Sequence, residues 1–78
     1  MKLKVLNLPR NMDEYDLKKL FEVHGAVTAC TLVHDEKRGT SKGFGFVEMA
    51  REEDAMQAIE NLHGIKLKQS RIRVKPAD

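Results

Sequence analysis

The sequence predicts an α+β sandwich in which four antiparallel strands form one sheet and two helices cover one face of it. Three observations lead to this prediction. Four short segments alternate between apolar and polar residues, which is the period of a strand with one buried face. Two longer segments carry apolar residues at helical spacing. The 78 residues, of which 41% are hydrophobic and 33% charged, suit a single small globular domain over 1–78.

The first half of the chain predicts a strand, a helix and a second strand. Residues 2–8 alternate and end at Asn7-Leu8-Pro9. Asp13 is a favoured N-cap for a helix over 13–24, and the following Gly25 ends that helix. A second strand runs through 27–33. The core residues expected from these elements are Leu3, Val5, Leu17, Leu20, Phe21, Cys30 and Leu32.

The second half predicts a polar loop over 35–41, a strand over 42–49, a helix over 52–63, a hairpin-like stretch over 65–71, and a last strand over 71–75 that Pro76 ends. Its expected core residues are Val47, Met49, Ala55, Ala58, Ile59, Leu62, Ile72 and Val74. The order β-α-β-β-α-β predicts a split βαβ, ferredoxin-like sandwich, with both helices on one face of a four-stranded antiparallel sheet. The other face of the sheet is expected to be open.

The strand over 42–49 is unusual because it carries two phenylalanines on its outward face. Alternation places Phe44 and Phe46 beside Lys42 and Glu48. Aromatic rings next to a cation form a platform on which nucleic-acid bases stack, and glycines between them let another backbone approach closely. The outward positions of all four strands, which include five bases and one acid, are Lys2, Lys4, Leu6, Ala29, Thr31, Val33, Lys42, Phe44, Phe46, Glu48, Arg73 and Lys75.

Charge is distributed unevenly around a net value of only +2. The two predicted helices hold eight acids and two bases, which leaves twelve of the 14 bases and four of the 12 acids for the strands and loops. This layout favours a polyanion that approaches from the sheet side. Charged helix faces that are simply solvated would produce the same pattern.

Several other classes are disfavoured. No apolar run is long enough to span a membrane, and the basic, apolar start is too short for a signal peptide. The single cysteine, Cys30, cannot form an internal disulfide, so we expect a buried thiol and a cytoplasmic protein. The histidines and Cys30 lack zinc-ligand spacing, and no catalytic set falls on the open face. We therefore expect neither metal, cofactor nor catalysis.

The segment Lys42–Met49 resembles the longer signature of the RNA-recognition motif, which reads Lys/Arg-Gly-aromatic-Gly/Ala-Phe-Val-x-aromatic, and matches it at seven of eight positions. The segment Leu3–Leu8 resembles the shorter signature of the same family on the first strand. The resemblance covers essentially the whole chain. Its compact form is most similar to small single-domain RNA-binding proteins of bacteria.

The resemblance implies that the domain binds single-stranded RNA, with Phe46 stacked on a base and Phe44 packed against sugars or a second base. Lys4 stands where the family usually has an aromatic residue, and the loss of one ring would weaken binding by about tenfold to a hundredfold. Met49 also replaces an aromatic residue, but it faces the core. The expected RNA-binding residues are Phe44, Phe46, Lys42, Lys4, Arg73, Lys75, Lys2, Thr31 and Arg38.

Other functions stay open at this point. The domain is alternatively a protein-interaction module that binds RNA weakly or not at all, because Lys4 removes a stacking ring and the acidic helix face suits a basic protein partner. Single-stranded DNA is a variant of the RNA hypothesis, since stacking discriminates little between sugars. An enzyme of the acylphosphatase kind would need a converging Arg and Asn, and no such pair can be placed. The chain after Lys75 is expected to be too short to cover the two rings.

Overall fold

The computed structural model describes residues 1–9, 11–34 and 41–77, with the side chains of residues 34, 41 and 42 outside that description. The predicted loop over 35–40 therefore lies outside the described residues. The elements in chain order are β1 (Lys2–Leu6), α1 (Glu14–Glu22), β2 (Val27–His34), β3 (Ser41–Met49), α2 (Glu52–Leu62), β4 (Lys66–Leu67), β5 (Ser70–Arg71) and β6 (Arg73–Pro76).

The main sheet has the strand order β2-β3-β1-β6, and every neighbouring pair is antiparallel. Strands β1 and β3 are therefore central, while β2 and β6 lie at the edges. Strands β4 and β5 pair separately as the predicted hairpin. This architecture confirms the predicted ferredoxin-like sandwich and brings the two signature segments together in the middle of the sheet.

The core lies between one face of the sheet and the two helices. Its strand residues are Leu3, Val5, Leu32, Val47, Met49, Ile72 and Val74, and its helix residues are Leu17, Phe21, Ala55, Ala58 and Leu62. These positions repeat every second residue along strands and every third or fourth along helices, as amphipathic elements require. Because both helices pack on this face, the opposite face carries the outward residues of the strands.

Helix α1 begins at a capping box. The Asp13 carboxylate accepts a hydrogen bond from the Asp16 N–H at 2.8 Å, and the Asp16 carboxylate accepts one from the Asp13 N–H at 3.3 Å. At the other end, the His24 N–H donates to the Phe21 carbonyl at 3.0 Å and the Gly25 N–H to the Glu22 carbonyl. The last turn thus tightens to three-residue spacing, so the helix ends at Glu22 and not at residue 24 as predicted.

Two strand boundaries differ from the prediction. Strand β1 stops at Leu6, because Asn7 takes up a left-handed conformation with φ of 61°. The last strand ends at Pro76, one residue later than the predicted end at residue 75. Pro76 lies within β6 opposite Leu3, and the next N–H, that of Ala77, still donates to the Lys2 carbonyl at 2.9 Å. An edge strand tolerates a proline whose missing N–H would face away from the sheet.

In the residues that the structure describes, neither helix is long and apolar enough to cross a membrane.

Candidate nucleic-acid interface

The register of the sheet arranges the outward side chains in three rows across the open face. The middle row runs Thr31, Phe46, Lys4 and Lys75; one flanking row runs Ala29, Glu48 and Lys2; the other runs Phe44, Leu6 and Arg73. None of these side chains is buried, whereas their neighbours along each strand mostly are. The alternation predicted from the sequence is therefore confirmed.

The two phenylalanine rings contact each other edge to face. The centroids of Phe44 and Phe46 are 6.2 Å apart and their planes make an angle of 86°, which is a favoured aromatic geometry. Both side chains are partly exposed. The pair is therefore not one flat platform, because each ring offers a stacking face in a different direction. A base stacked flat on Phe46 would meet Phe44 at an angle.

Lysines from β1 lie over both rings. The Lys2 Nζ is 4.9 Å from the Phe46 centroid, and the Lys4 Nζ is 5.5 Å from the Phe44 centroid, distances at which cation–π attraction operates. Strand alternation predicts these lysines on the correct face, but nothing in the sequence indicates their contact with the rings. Each lysine contacts the ring diagonal to it across the strand pair, which cross-strand spacing allows for a long side chain.

The glycines of β3 bring backbones close together at this site. A Cβ atom on Gly45 would lie 2.5 Å from the Thr31 carbonyl oxygen, so β2 can approach β3 only because Gly45 has no side chain. Gly43 has φ of 86°, and its carbonyl accepts a hydrogen bond of 2.7 Å from the Leu8 N–H. The Gly45 contact confirms the close approach predicted from the sequence, whereas at Gly43 it is the positive φ that favours glycine.

Asn7 joins the end of β1 to the segment before β6. Its Nδ2 donates to the Arg71 carbonyl at 2.7 Å. This agrees with the role that the sequence suggested for Asn7, which was to order the turn after the first strand. The hydrogen bond holds the chain at the point where it enters β6, the strand that carries Arg73 and Lys75.

The structure brings seven of the predicted RNA-binding residues onto one face: Lys2, Lys4, Thr31, Phe44, Phe46, Arg73 and Lys75. Lys42 lies on β3, but its side chain is outside the described residues, and Arg38 is outside them altogether. Their contacts with RNA stay predictions.

A shallow depression of about 250 Å³ lies beside Phe46 and is lined by Lys2, Ala29, Thr31, Phe46 and Glu48. Ala29 and Glu48 were not among the predicted RNA-binding residues. Period-two alternation already placed both on the open face, but only the pairing of β1, β2 and β3 shows that they flank the same ring.

Cys30 lies behind this face. The pKa of the Cys30 thiol is raised to about 11, mainly by burial and also by the negative charge of Glu14, while Lys18 acts in the opposite direction. The thiol is therefore protonated near neutral pH and a poor nucleophile. Across the described ranges, no group of three or more His, Cys, Asp or Glu side chains is placed to hold a metal ion.

The profile of the RNA recognition motif family matches residues 3–73. The chain therefore belongs to the RNA recognition motif family.

Two relatives show how far the likeness extends. A Sex-lethal homolog from Megaselia scalaris is 42% identical over 67 residues, which are 86% of this chain and 21% of the relative. A 31 kDa chloroplastic ribonucleoprotein from Nicotiana sylvestris is 43% identical over 72 residues, which are 92% of this chain and 23% of the relative. The chain thus spans less than a quarter of the length of either protein. Both are eukaryotic, so the expected likeness to bacterial single-domain proteins is not supported.

Solved structures agree with the fold. A structure described as an Sxl-lethal protein/RNA complex superposes with a TM-score of 0.93 and 35% identity, covering 99% of this chain and 46% of that one. The crystal structure of RNA Binding Protein PG1 superposes with a TM-score of 0.94 and 42% identity, covering 99% of this chain and 93% of that one.

Proposed function

We propose that this domain binds single-stranded RNA and performs no catalysis on it. The observation that carries the proposal is the pair of partly exposed rings, Phe44 and Phe46, at the centre of a sheet face that carries four described basic side chains. Membership of the RNA recognition motif family and the likeness to a protein/RNA complex support it. No comparison favours the alternative of a protein-interaction module.

Binding begins with the exchange of a lysine for a base. The Lys2 ammonium covers Phe46 in the free domain, and its flexible stem allows it to swing aside when a base stacks on the ring. A released ammonium can then meet a phosphate of the same strand. The Phe46 ring thus exchanges its contact with the Lys2 ammonium for a larger stacked contact with a base. The ammonium stays close to the RNA backbone.

Arg73 and Lys75 extend the basic surface to the edge of the sheet. Both residues are on β6, where Arg73 pairs with Leu6 of β1 and Lys75 pairs with Lys4 of β1, and both side chains are exposed. A strand of RNA that crosses from Phe46 towards β6 would pass Lys4 and reach Lys75, with Arg73 in the adjacent row. We assign them to the sugar–phosphate backbone, which fixes the position of the strand, and the rings to the bases.

The remaining assignments follow the same chemistry. Single-stranded DNA is a second partner of the same kind, because stacking and phosphate contacts operate on it as well. Residues 1–78 form one binding domain, and a reducing compartment such as the cytoplasm suits the free Cys30. A basic protein partner at the acidic surface of α2, where Glu52, Glu53 and Glu60 are exposed, stays a prediction.

The test is a titration of a fluorescent single-stranded RNA with the parent domain and with Phe46→Ala. We expect the substitution to weaken binding by about tenfold to a hundredfold, since stacking on one ring contributes on the order of 1–3 kcal/mol. Phe46→Leu, which keeps apolar volume without the aromatic ring, should lose most of the same affinity.

Tyr15→Ala is the matched control. Tyr15 is a 64% exposed aromatic residue on α1, on the other side of the sheet, so its loss should leave RNA affinity unchanged. Circular dichroism would confirm that all variants keep the fold. If the folded Phe46 variants bind RNA as tightly as the parent, the proposed function is wrong.

A further inference from the structure

Lys2 and Glu48 carry opposite charges at directly paired positions of β1 and β3. Such a pair commonly forms a cross-strand ion pair. Here the Lys2 ammonium lies over the Phe46 ring instead, at 4.9 Å from its centroid. Among the described residues, the Glu48 carboxylate has no hydrogen-bond or ion-pair partner. The sheet thus presents a free carboxylate beside a stacking ring.

The same depression holds further groups that suit a base. The Thr31 hydroxyl, opposite Phe46 on β2, also has no partner among the described side chains. Ala29, opposite Glu48, contributes only a methyl group and leaves room above the strand. The volume of about 250 Å³ is below that of sites for drug-sized ligands and suits a single planar ring system.

We propose that this depression selects guanine, the base whose edge best satisfies an unpaired carboxylate. The proposal rests on the proposed function, because it names the base that the RNA site prefers. An ionised carboxylate only accepts hydrogen bonds, and its two oxygens can accept two parallel ones. Guanine offers two adjacent donors, N1–H and the exocyclic amine, which match this arrangement.

The other bases match the carboxylate less well. Cytosine and adenine each offer one amine next to a ring nitrogen that accepts and would face the second carboxylate oxygen. Uracil offers one N–H between two carbonyls, which a carboxylate repels. The Lys2 ammonium, which must leave the Phe46 ring when the base stacks, is long enough to turn to the guanine O6, next to N1–H, as an alternative to a phosphate. The expected order is guanine first, adenine and cytosine next, and uracil last.

The test compares uridine oligomers in which one central nucleotide is uridine, adenosine, cytidine, guanosine or inosine. Affinity is measured by fluorescence anisotropy at one salt concentration. For the parent domain we expect at least about fivefold tighter binding of the guanosine oligomer than of the all-uridine one. Inosine lacks the exocyclic amine of guanosine, so the inosine oligomer should lose most of this gain.

Glu48→Gln separates base recognition from charge. The amide has a single acceptor oxygen, so the preference for guanosine should fall to less than twofold. Removal of a negative charge near phosphates should at the same time strengthen binding of the all-uridine oligomer. A merely electrostatic role of Glu48 would strengthen the binding of both oligomers alike and leave the preference for guanosine unchanged. Glu60→Gln, which removes the same charge from the exposed surface of α2, should alter neither value.

Two outcomes would overturn the assignment of the depression. One is a parent domain that binds the guanosine and uridine oligomers equally. The other is a Glu48→Gln variant that keeps the preference of the parent. If Phe46→Ala still weakens binding in the same assay, the RNA-binding proposal survives either result. The RNA-binding proposal would be overturned only if the Phe46 variants bound RNA as tightly as the parent domain.

Discussion

At the scale of single residues, Lys4 is the clearest departure from the aromatic pattern of the family. It lies directly opposite Phe46 in the sheet, and its ammonium contacts the face of Phe44. A stacking ring has therefore been replaced by a cation that itself interacts with a neighbouring ring. With lysine at this position, part of the binding free energy comes from attraction to phosphate and not from base stacking. That part weakens as the salt concentration rises.

Lys4→Tyr should restore the missing ring. We expect RNA affinity to rise by about tenfold in moderate salt, because one more base can stack. The slope of log affinity against log salt should become shallower by about 0.7, since one phosphate contact is lost. Lys4→Gln is the matched control, which removes the charge without adding a ring and should only weaken binding. Equal affinities of the Tyr and Gln variants would contradict this prediction.

At the scale of elements, β3 combines two functions. Its outward side chains form the aromatic site, while Gly45, Val47 and Met49 face the helices and are buried. Gly45 also admits the β2 backbone, since a Cβ there would crowd the Thr31 carbonyl and the side chains of Leu32 and Leu17. The position of Phe46 next to Thr31 thus depends on the absence of a side chain at the preceding residue.

Gly45→Ala should destabilise the domain by about 1–3 kcal/mol, because the added methyl group overpacks a site with no free space. Urea unfolding followed by circular dichroism would measure the change. Glu48→Gln, on the outward face of the same strand, should alter the free energy of unfolding by less than about 0.5 kcal/mol. A Gly45→Ala variant as stable as the parent would show that β2 can move away without cost.

At the scale of the whole molecule, charge is separated between the two layers. The helices carry acidic side chains such as Glu22, Glu52 and Glu60 on their exposed surfaces, while the open sheet face carries Lys2, Lys4, Arg73 and Lys75. A net charge of +2 conceals this asymmetry. The field of the molecule therefore favours an approach of RNA from the sheet side.

This separation predicts which charges control the salt dependence of binding. Lys75→Gln should reduce the steepness of log affinity against log salt by about 0.7 and weaken binding of all oligomers alike, as expected for a phosphate contact on a single strand. Lys19→Gln removes the same charge from α1 and should leave the slope unchanged. Titrations at three or more salt concentrations measure both slopes. A change of slope in the α1 variant would argue against directed approach.

Patterns between neighbouring residues in the sequence were sufficient to predict most of the fold and most of the residues on the open face of the sheet. Period-two alternation placed Phe44, Phe46 and Lys4 outward and Val47 inward, because strand geometry assigns faces from neighbours in the chain alone. The last strand was misplaced by two residues at its start, since Arg71 pairs with Lys66 in the hairpin. That pairing depends on a partner strand and not on local pattern.

By itself, the sequence determined the order of elements, the face on which the aromatic and basic residues lie, and the family to which the domain belongs. Only the tertiary structure decided that the rings meet edge to face, that Lys2 covers Phe46, and that Glu48 shares a depression with Ala29 and Thr31. The reason is physical: alternation specifies the direction of each side chain, but distances between side chains on different strands depend on register and on the rotamers of long residues such as lysine.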